Sequence, residues 1–173
     1  IAGLGKGGTK GEGVGHKCLA NIREVDAIIH VVRCFEDGDI VHVDGEIGPA
    51  REIETINLEL IFSDIDIIDR RIDKAVKLSK GDKKYAQEAE FLKELKAHLE
   101  EGKSARGFEV EANFEELFAE LPLLSAKPII YAANLNEDSF TKPLEENSFY
   151  EQVLEIAKQD RAEVVPICAR LEE

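Results

Sequence analysis

Ala27-Ile28-Ile29-His30-Val31-Val32-Arg33-Cys34-Phe35 is the stretch on which the fold turns. It is apolar and β-branched, it follows Asp26, and it ends in the acidic turn Glu36-Asp37-Gly38-Asp39. A short continuous apolar run of this kind predicts a strand buried on both faces, as in a parallel sheet covered by helices. Two later runs have the same character, Lys127-Pro128-Ile129-Ile130-Tyr131-Ala132-Ala133 and Glu163-Val164-Val165-Pro166-Ile167-Cys168-Ala169. Around them lie segments with helical spacing: Leu19 to Glu24, then Phe114, Leu117, Phe118 and Leu121 before Pro122, and Phe149, Val153, Ile156 and Ala157. Strands alternating with helices predict an α/β fold with a parallel sheet.

One long segment interrupts that alternation. Ile53, Ile56, Leu60, Ile61, Ile65, Ile68, Ile72 and Val76 step by three and four, and Pro49 stands just ahead of them. That is the pattern of a long amphipathic helix with proline at its start. Gly81-Asp82 breaks it, and Tyr85, Ala89, Leu92, Leu95 and Leu99 form a second apolar face ending at Gly102. Two long helices around a tight break predict an antiparallel, coiled-coil-like hairpin inserted into one domain. The division expected is therefore 1–49, then a hairpin at 50–106, then 107–173. The charged faces of the hairpin are most simply solvated surface, and a partner-binding arm is the alternative.

Composition narrows the function. The 173 residues carry a formal charge of -14, which speaks against a bare nucleic-acid-binding surface and against direct DNA binding. Three cysteines, Cys18, Cys34 and Cys168, lie far apart and form no C-x-x-C, which suits a reducing compartment. No apolar run approaches membrane-spanning length, so we expect a cytoplasmic protein with no membrane partner. The chain opens on Ile1 with no methionine, and we expect residues upstream of it.

Glycine occupies positions 3, 5, 7, 8, 11, 13 and 15, with Lys6 and Lys10 between. Such a segment makes neither helix nor strand; it permits positive φ and close approach to a ligand. A flexible linker is the bland reading, but serine is absent from it and it runs directly into a helical segment. Ligands of open α/β sheets bind beyond the carboxyl ends of the strands. The glycine-rich loop, Asn134-Leu135-Asn136-Glu137 and Cys168-Ala169-Arg170 are thus expected on one rim, around one nucleotide-sized site.

These residues carry a resemblance. Ile1-Ala2-Gly3-Leu4 resembles the tail of the D-x-x-G motif of P-loop GTPases, and the glycine-rich run to Lys17 resembles switch II of the Obg-like superfamily. Asn21 to Asp37, the helical hairpin and Asn134-Leu135-Asn136-Glu137 are similar to the YchF (Obg-like ATPase) family, over essentially the whole chain. The resemblance implies a P-loop NTPase (G-domain) fold, incomplete at its N-terminus, with the family's TGS domain beyond Glu173. It also implies a ribosome-associated enzyme that hydrolyses ATP, with GTP secondary, and that uses Mg²⁺ held mainly by residues outside this chain.

Residue chemistry sharpens those implications. Guanine-reading relatives use N-K-x-D, whose Asp accepts two hydrogen bonds from the base. Here Leu135 stands for the Lys and Glu137 for the Asp, and the extra methylene moves the acceptor oxygens out of hydrogen-bonding range. Adenine becomes the better candidate, with Asn134, Leu135, Asn136 and Glu137 as base-reading residues. A plain Asx-rich turn is the alternative. By resemblance Gly3 would offer its amide to a γ-phosphate, and Ala169 belongs to the nucleotide-binding set. Leu4 occupies the position of the catalytic Gln and cannot hydrogen-bond water, so His42 is the resemblance's candidate for positioning it. His42 as a half-buried strand residue is equally open. His30 is expected in the core, His98 on the hairpin surface, and His16 could approach phosphate.

The sequence has no G-x-x-x-x-G-K-[ST], so the chain alone is expected to be inactive. Two other readings stay open: a guanine-specific Obg-type GTPase, and a nucleotide-gated module that grips a ribosomal or protein partner with incidental hydrolysis.

Overall fold

The computed structural model describes residues 14–35 and 48–169. Helix α1 (Val14–Glu24) leads into strand β1 (Ile28–Arg33), and helices α2 (Pro49–Leu78) and α3 (Lys83–Glu100) follow. Short helix α4 (Glu115–Glu120), strand β2 (Ile129–Asn134), helix α5 (Ser148–Gln159) and strand β3 (Glu163–Ile167) complete the described chain. The sheet is wholly parallel in the order β1-β2-β3, with Ile28 opposite Ile129, Arg33 opposite Asn134, and Asn134 opposite Ile167. This is the α/β parallel-sheet fold that the alternating pattern predicts.

Strand β1 departs from expectation in one respect. Ile28, His30 and Val32 are buried, whereas Ile29 is 65% and Val31 51% exposed. The run is therefore not covered on both faces among the described residues. The physical reason is coverage: among the described residues, α2 and α5 share the core with its Ile28–Val32 face only. Continuous β-branched sequence reports a strand, but it does not report which elements cover it.

Pro49 opens α2, where its fixed φ suits the helix and its missing N–H costs nothing. At about 1.5 Å per residue, the helix runs roughly 45 Å. It serves two cores. Ile53 and Leu60 join Ile22, Val32, Tyr131 and Val153 beneath the sheet. Ile61, Ile68 and Ala75 continue along the same helix to pack against Ala89, Leu92, Leu95 and Leu99 of α3. The turn between the helices closes with Gly81 N–H donating to the Leu78 carbonyl at 3.1 Å. Asp82 then caps α3, its carboxylate accepting from Lys84 N–H at 3.0 Å. Across the pair, Lys96 meets Asp69 at 2.6 Å and Arg71 meets Glu88 at 2.9 Å. Gly102 ends α3 at φ 81°, a backbone conformation that favours glycine.

Two buried carboxylates fasten the hairpin to the rest. Asp64, 0% exposed on α2, accepts from Leu124 N–H (2.7 Å), Ser125 N–H (2.8 Å) and Ser125 Oγ–H (2.6 Å). Asp160, at the C-terminal end of α5, accepts from Tyr131 Oη–H at 2.6 Å, from Arg106 Nη2 at 3.1 Å and from Ser104 Oγ. Burial chiefly, with the Asp160 charge beside it, pushes the Tyr131 phenol up. Three segments remote in sequence thus share one carboxylate: the end of the hairpin, the central strand and α5.

Candidate functional site

The carboxyl end of the sheet is built on β2, the central strand. Its last residue, Asn134, is held from both sides: Cys34 N–H donates to its carbonyl at 2.8 Å, and Leu135 N–H donates to the Ile167 carbonyl at 2.8 Å. The Asn134 side chain is then fixed as well, because its Oδ1 accepts from Ala169 N–H at 3.2 Å. Two of the expected rim segments, the one after β2 and the one after β3, are brought together by that bond. The strand extends one residue further than the apolar run suggested, so Asn134 belongs to β2 rather than to the turn after it.

Leu135 lies 1% exposed in the sheet core with Val32 and Val153. It presents no cation and no polar group at the rim. Asn136 caps a 3-10 turn over Glu137–Thr141, its Oδ1 accepting from Ser139 N–H at 3.1 Å and from Ser139 Oγ–H at 2.5 Å. The Asx-type turn kept open in the sequence is therefore present at Asn136. Glu137, the first residue of that turn, is exposed, and among the described residues its carboxylate takes no part in an ion pair. The rim thus offers an amide fixed by backbone and a free carboxylate three residues on. The carboxylate is an acceptor for a ligand's amino donor, and the Asn134 amide, its Oδ1 taken by Ala169 N–H, has its NH2 left to donate.

Gly3, Leu4 and His42 lie outside the described residues, as does the side chain of His16. His30 is in the core as expected, 1% exposed, its ring 5.8 Å from that of Tyr131. Burial, reinforced by the Arg106 charge, lowers its pKa to about 4. His98 is a correction. Instead of lying on the hairpin surface it is half-buried, with Nε2 2.8 Å from the Ser104 carbonyl and its ring edge-on to Phe108 at 5.1 Å. The chain folds back at Gly102 and lays the segment after α3 over that end of the helix. Spacing within a single helix carries no sign of this.

Cys34 and Cys168 are free and buried, and burial pushes the Cys34 thiol up to about 12, so Cys34 is not poised as a nucleophile. Sequence reasoning missed the Asp160 cluster entirely. Ser104, Arg106, Tyr131 and Asp160 share no spacing and no motif, so nothing in the sequence points to it.

No family model matches the chain. Among curated proteins, the ribosome-binding ATPase YchF of Bacillus subtilis is 45% identical over 99% of this chain and 47% of its own length. The ribosome-binding ATPase YchF of Escherichia coli O157:H7 is 44% identical over the same shares. Among solved structures, that of the Schizosaccharomyces pombe YchF GTPase superposes with a TM-score of 0.78 at 28% identity, covering 99% of this chain and 47% of that one. The chain spans about half the length of the relatives that it matches.

Proposed function

We propose, since this chain is a relative of the YchF family along 99% of its length, that the protein carrying it binds and hydrolyses ATP, with GTP as a secondary substrate. The observation that carries the reading is the rim of β2. Asn134 is locked to Ala169, Leu135 is withdrawn into the core, and Glu137 stands free. A lysine that could lie along a base is missing, and so is the shorter Asp that would accept twice from guanine. Glu137 as acceptor and the Asn134 amide NH2 as donor instead suit a base that sets an amino donor beside a ring-nitrogen acceptor and has no N1–H, as adenine does. The described residues fit the base end of a nucleotide, and the P-loop motif that would cradle its triphosphate is not in this sequence.

In this reading the 173 residues contribute recognition and water placement. Gly3 offers an amide to the γ-phosphate, Leu4 keeps a hydrophobic side chain where a water-orienting Gln would stand, and His42 accepts a proton from the attacking water. Mg²⁺ would neutralise phosphate charge and would be held mainly by residues outside this chain. We treat 1–49 and 107–173 as the nucleotide domain and 50–106 as the hairpin insertion. Two curated relatives are named ribosome-binding, and we extend that partner, and a cytoplasmic location, to this protein. Among the described residues no helix is long and apolar enough to cross a membrane.

A guanine-specific reading is favoured by one finding, the GTPase name of the structural neighbour. Glu137→Asp separates the two: it is expected to raise GTP affinity relative to ATP in a filter-binding competition. An unchanged ratio would remove Glu137 from base choice. A nucleotide-gated module, in which the hairpin grips the ribosome and hydrolysis is incidental, would show as ribosome co-sedimentation that survives loss of turnover in His42→Ala.

A further inference from the structure

We propose that the flank of the hairpin carries a docking site for a basic protein segment, with one lysine or arginine side chain seated over phenylalanine rings. The site is a cavity of about 350 Å³ between α3 and the loop that leads to α4. Its floor is aromatic. Phe91 and Phe114 stack at 4.5 Å between centroids and 12° between planes, and Phe108 stands 5.9 Å from Phe91 at 60°. Phe91 is buried, whereas Phe108 and Phe114 are half-buried and so remain open to a ligand.

The rim is acidic on both sides, Glu90 and Glu94 from α3 and Glu109 and Glu111 from the loop. Glu90 has Lys93 at 3.4 Å and Glu109 has Arg161 at 3.9 Å, both exposed pairs that cost little to displace. Glu94 and Glu111 take part in no ion pair among the described residues. Aromatic faces attract a cation through their quadrupole, and carboxylates around them add charge and hydrogen-bond acceptors. Phosphate would be repelled by the same rim, so the occupant is a basic polypeptide and not a nucleic acid. Among the described residues no group of His, Cys, Asp or Glu is placed to hold a metal ion, so these carboxylates form a spread rim and not a coordination point. The site lies between α3 of the hairpin and the segment that follows it, and owes nothing to the nucleotide reading.

The test is fluorescence anisotropy with labelled octalysine and octaarginine, on the full-length protein at low salt. Glu94→Gln with Glu111→Gln is expected to weaken binding about tenfold, as two charge contacts of modest strength imply. Phe114→Leu, which keeps an apolar side chain and removes the π face, should weaken it about threefold. A control pair elsewhere, Glu151→Gln with Glu155→Gln, should change it less than twofold, which separates a site from net charge. Circular dichroism checks that Phe114→Leu is folded, and the carboxylate pair decides alone if it is not. Equal weakening by the two carboxylate pairs, no weakening by the rim pair, or tighter binding of oligouridylate than of octalysine would each overturn the proposal.

Discussion

His30 is the clearest case of one residue setting a bulk property. It is enclosed against Tyr131, and among the described residues its Nδ1 has no hydrogen-bond partner. Its pKa in the folded chain is lowered to about 4 from 6.5, chiefly by burial. The folded state therefore resists taking up the proton that the unfolded chain accepts. The associated stability is fully present above the unfolded value and is lost as pH falls from 6.5 towards 4, at a scale of about 3 kcal/mol. Urea melts between pH 7 and 4.5 should show His30→Leu flattening that part of the decline. Parallel curves for parent and variant would mean that His30 is not its source. Asp64 is the other decisive residue. Three donors on the 124–125 segment converge on it, so Asp64→Ala strands buried N–H groups and should cost about 3 kcal/mol in the same melts. A loss below about 1 kcal/mol, the size of one ordinary hydrogen bond, would show that water replaces the carboxylate.

At the scale of elements, α2 links the two halves of the structure. Its first turns pack under the sheet and its later turns form the hairpin core, so the hairpin cannot tilt without disturbing the sheet. Asp160 makes the same connection from the other side, joining Ser104 and Arg106 to Tyr131, three residues before Asn134 on β2. Asp82→Ala removes the cap of α3 and should lower stability by about 1 kcal/mol without altering the sheet; backbone amide exchange would show faster opening confined to the first turn of α3. Exchange that quickened across the whole sheet would contradict the two-core description.

Much of this level was legible beforehand, because the hairpin and all three strands follow from period and from the breaks at Gly81 and Gly102. What stayed hidden was set by contacts distant in sequence. The exposed side of β1 depends on what lies next to it, and the burial of His98 depends on a loop folding back. The Asp160 cluster depends on three segments meeting. The rim of β2 was half legible: Asn134 and Glu137 stood out by type. That Asn134 is tied to Ala169, and that Leu135 points into the core, needed the register of three strands.

At the scale of the molecule, a charge of -14 and an acidic hairpin flank argue that contacts to any RNA-bearing partner are local. The chain holds the proposed base-reading rim and no G-x-x-x-x-G-K-[ST] motif. Isothermal titration of the isolated 173 residues with Mg²⁺-ATP is expected to show no micromolar binding, and micromolar affinity would mean that phosphate recognition resides within this segment. The central claim concerns the nucleotide itself. Direct competition between ATP and GTP on the full-length protein tests it most plainly. The rim of Asn134, Leu135 and Glu137 predicts that ATP displaces GTP with at least tenfold preference, about 1.4 kcal/mol in binding free energy. Equal or tighter binding of GTP would contradict it.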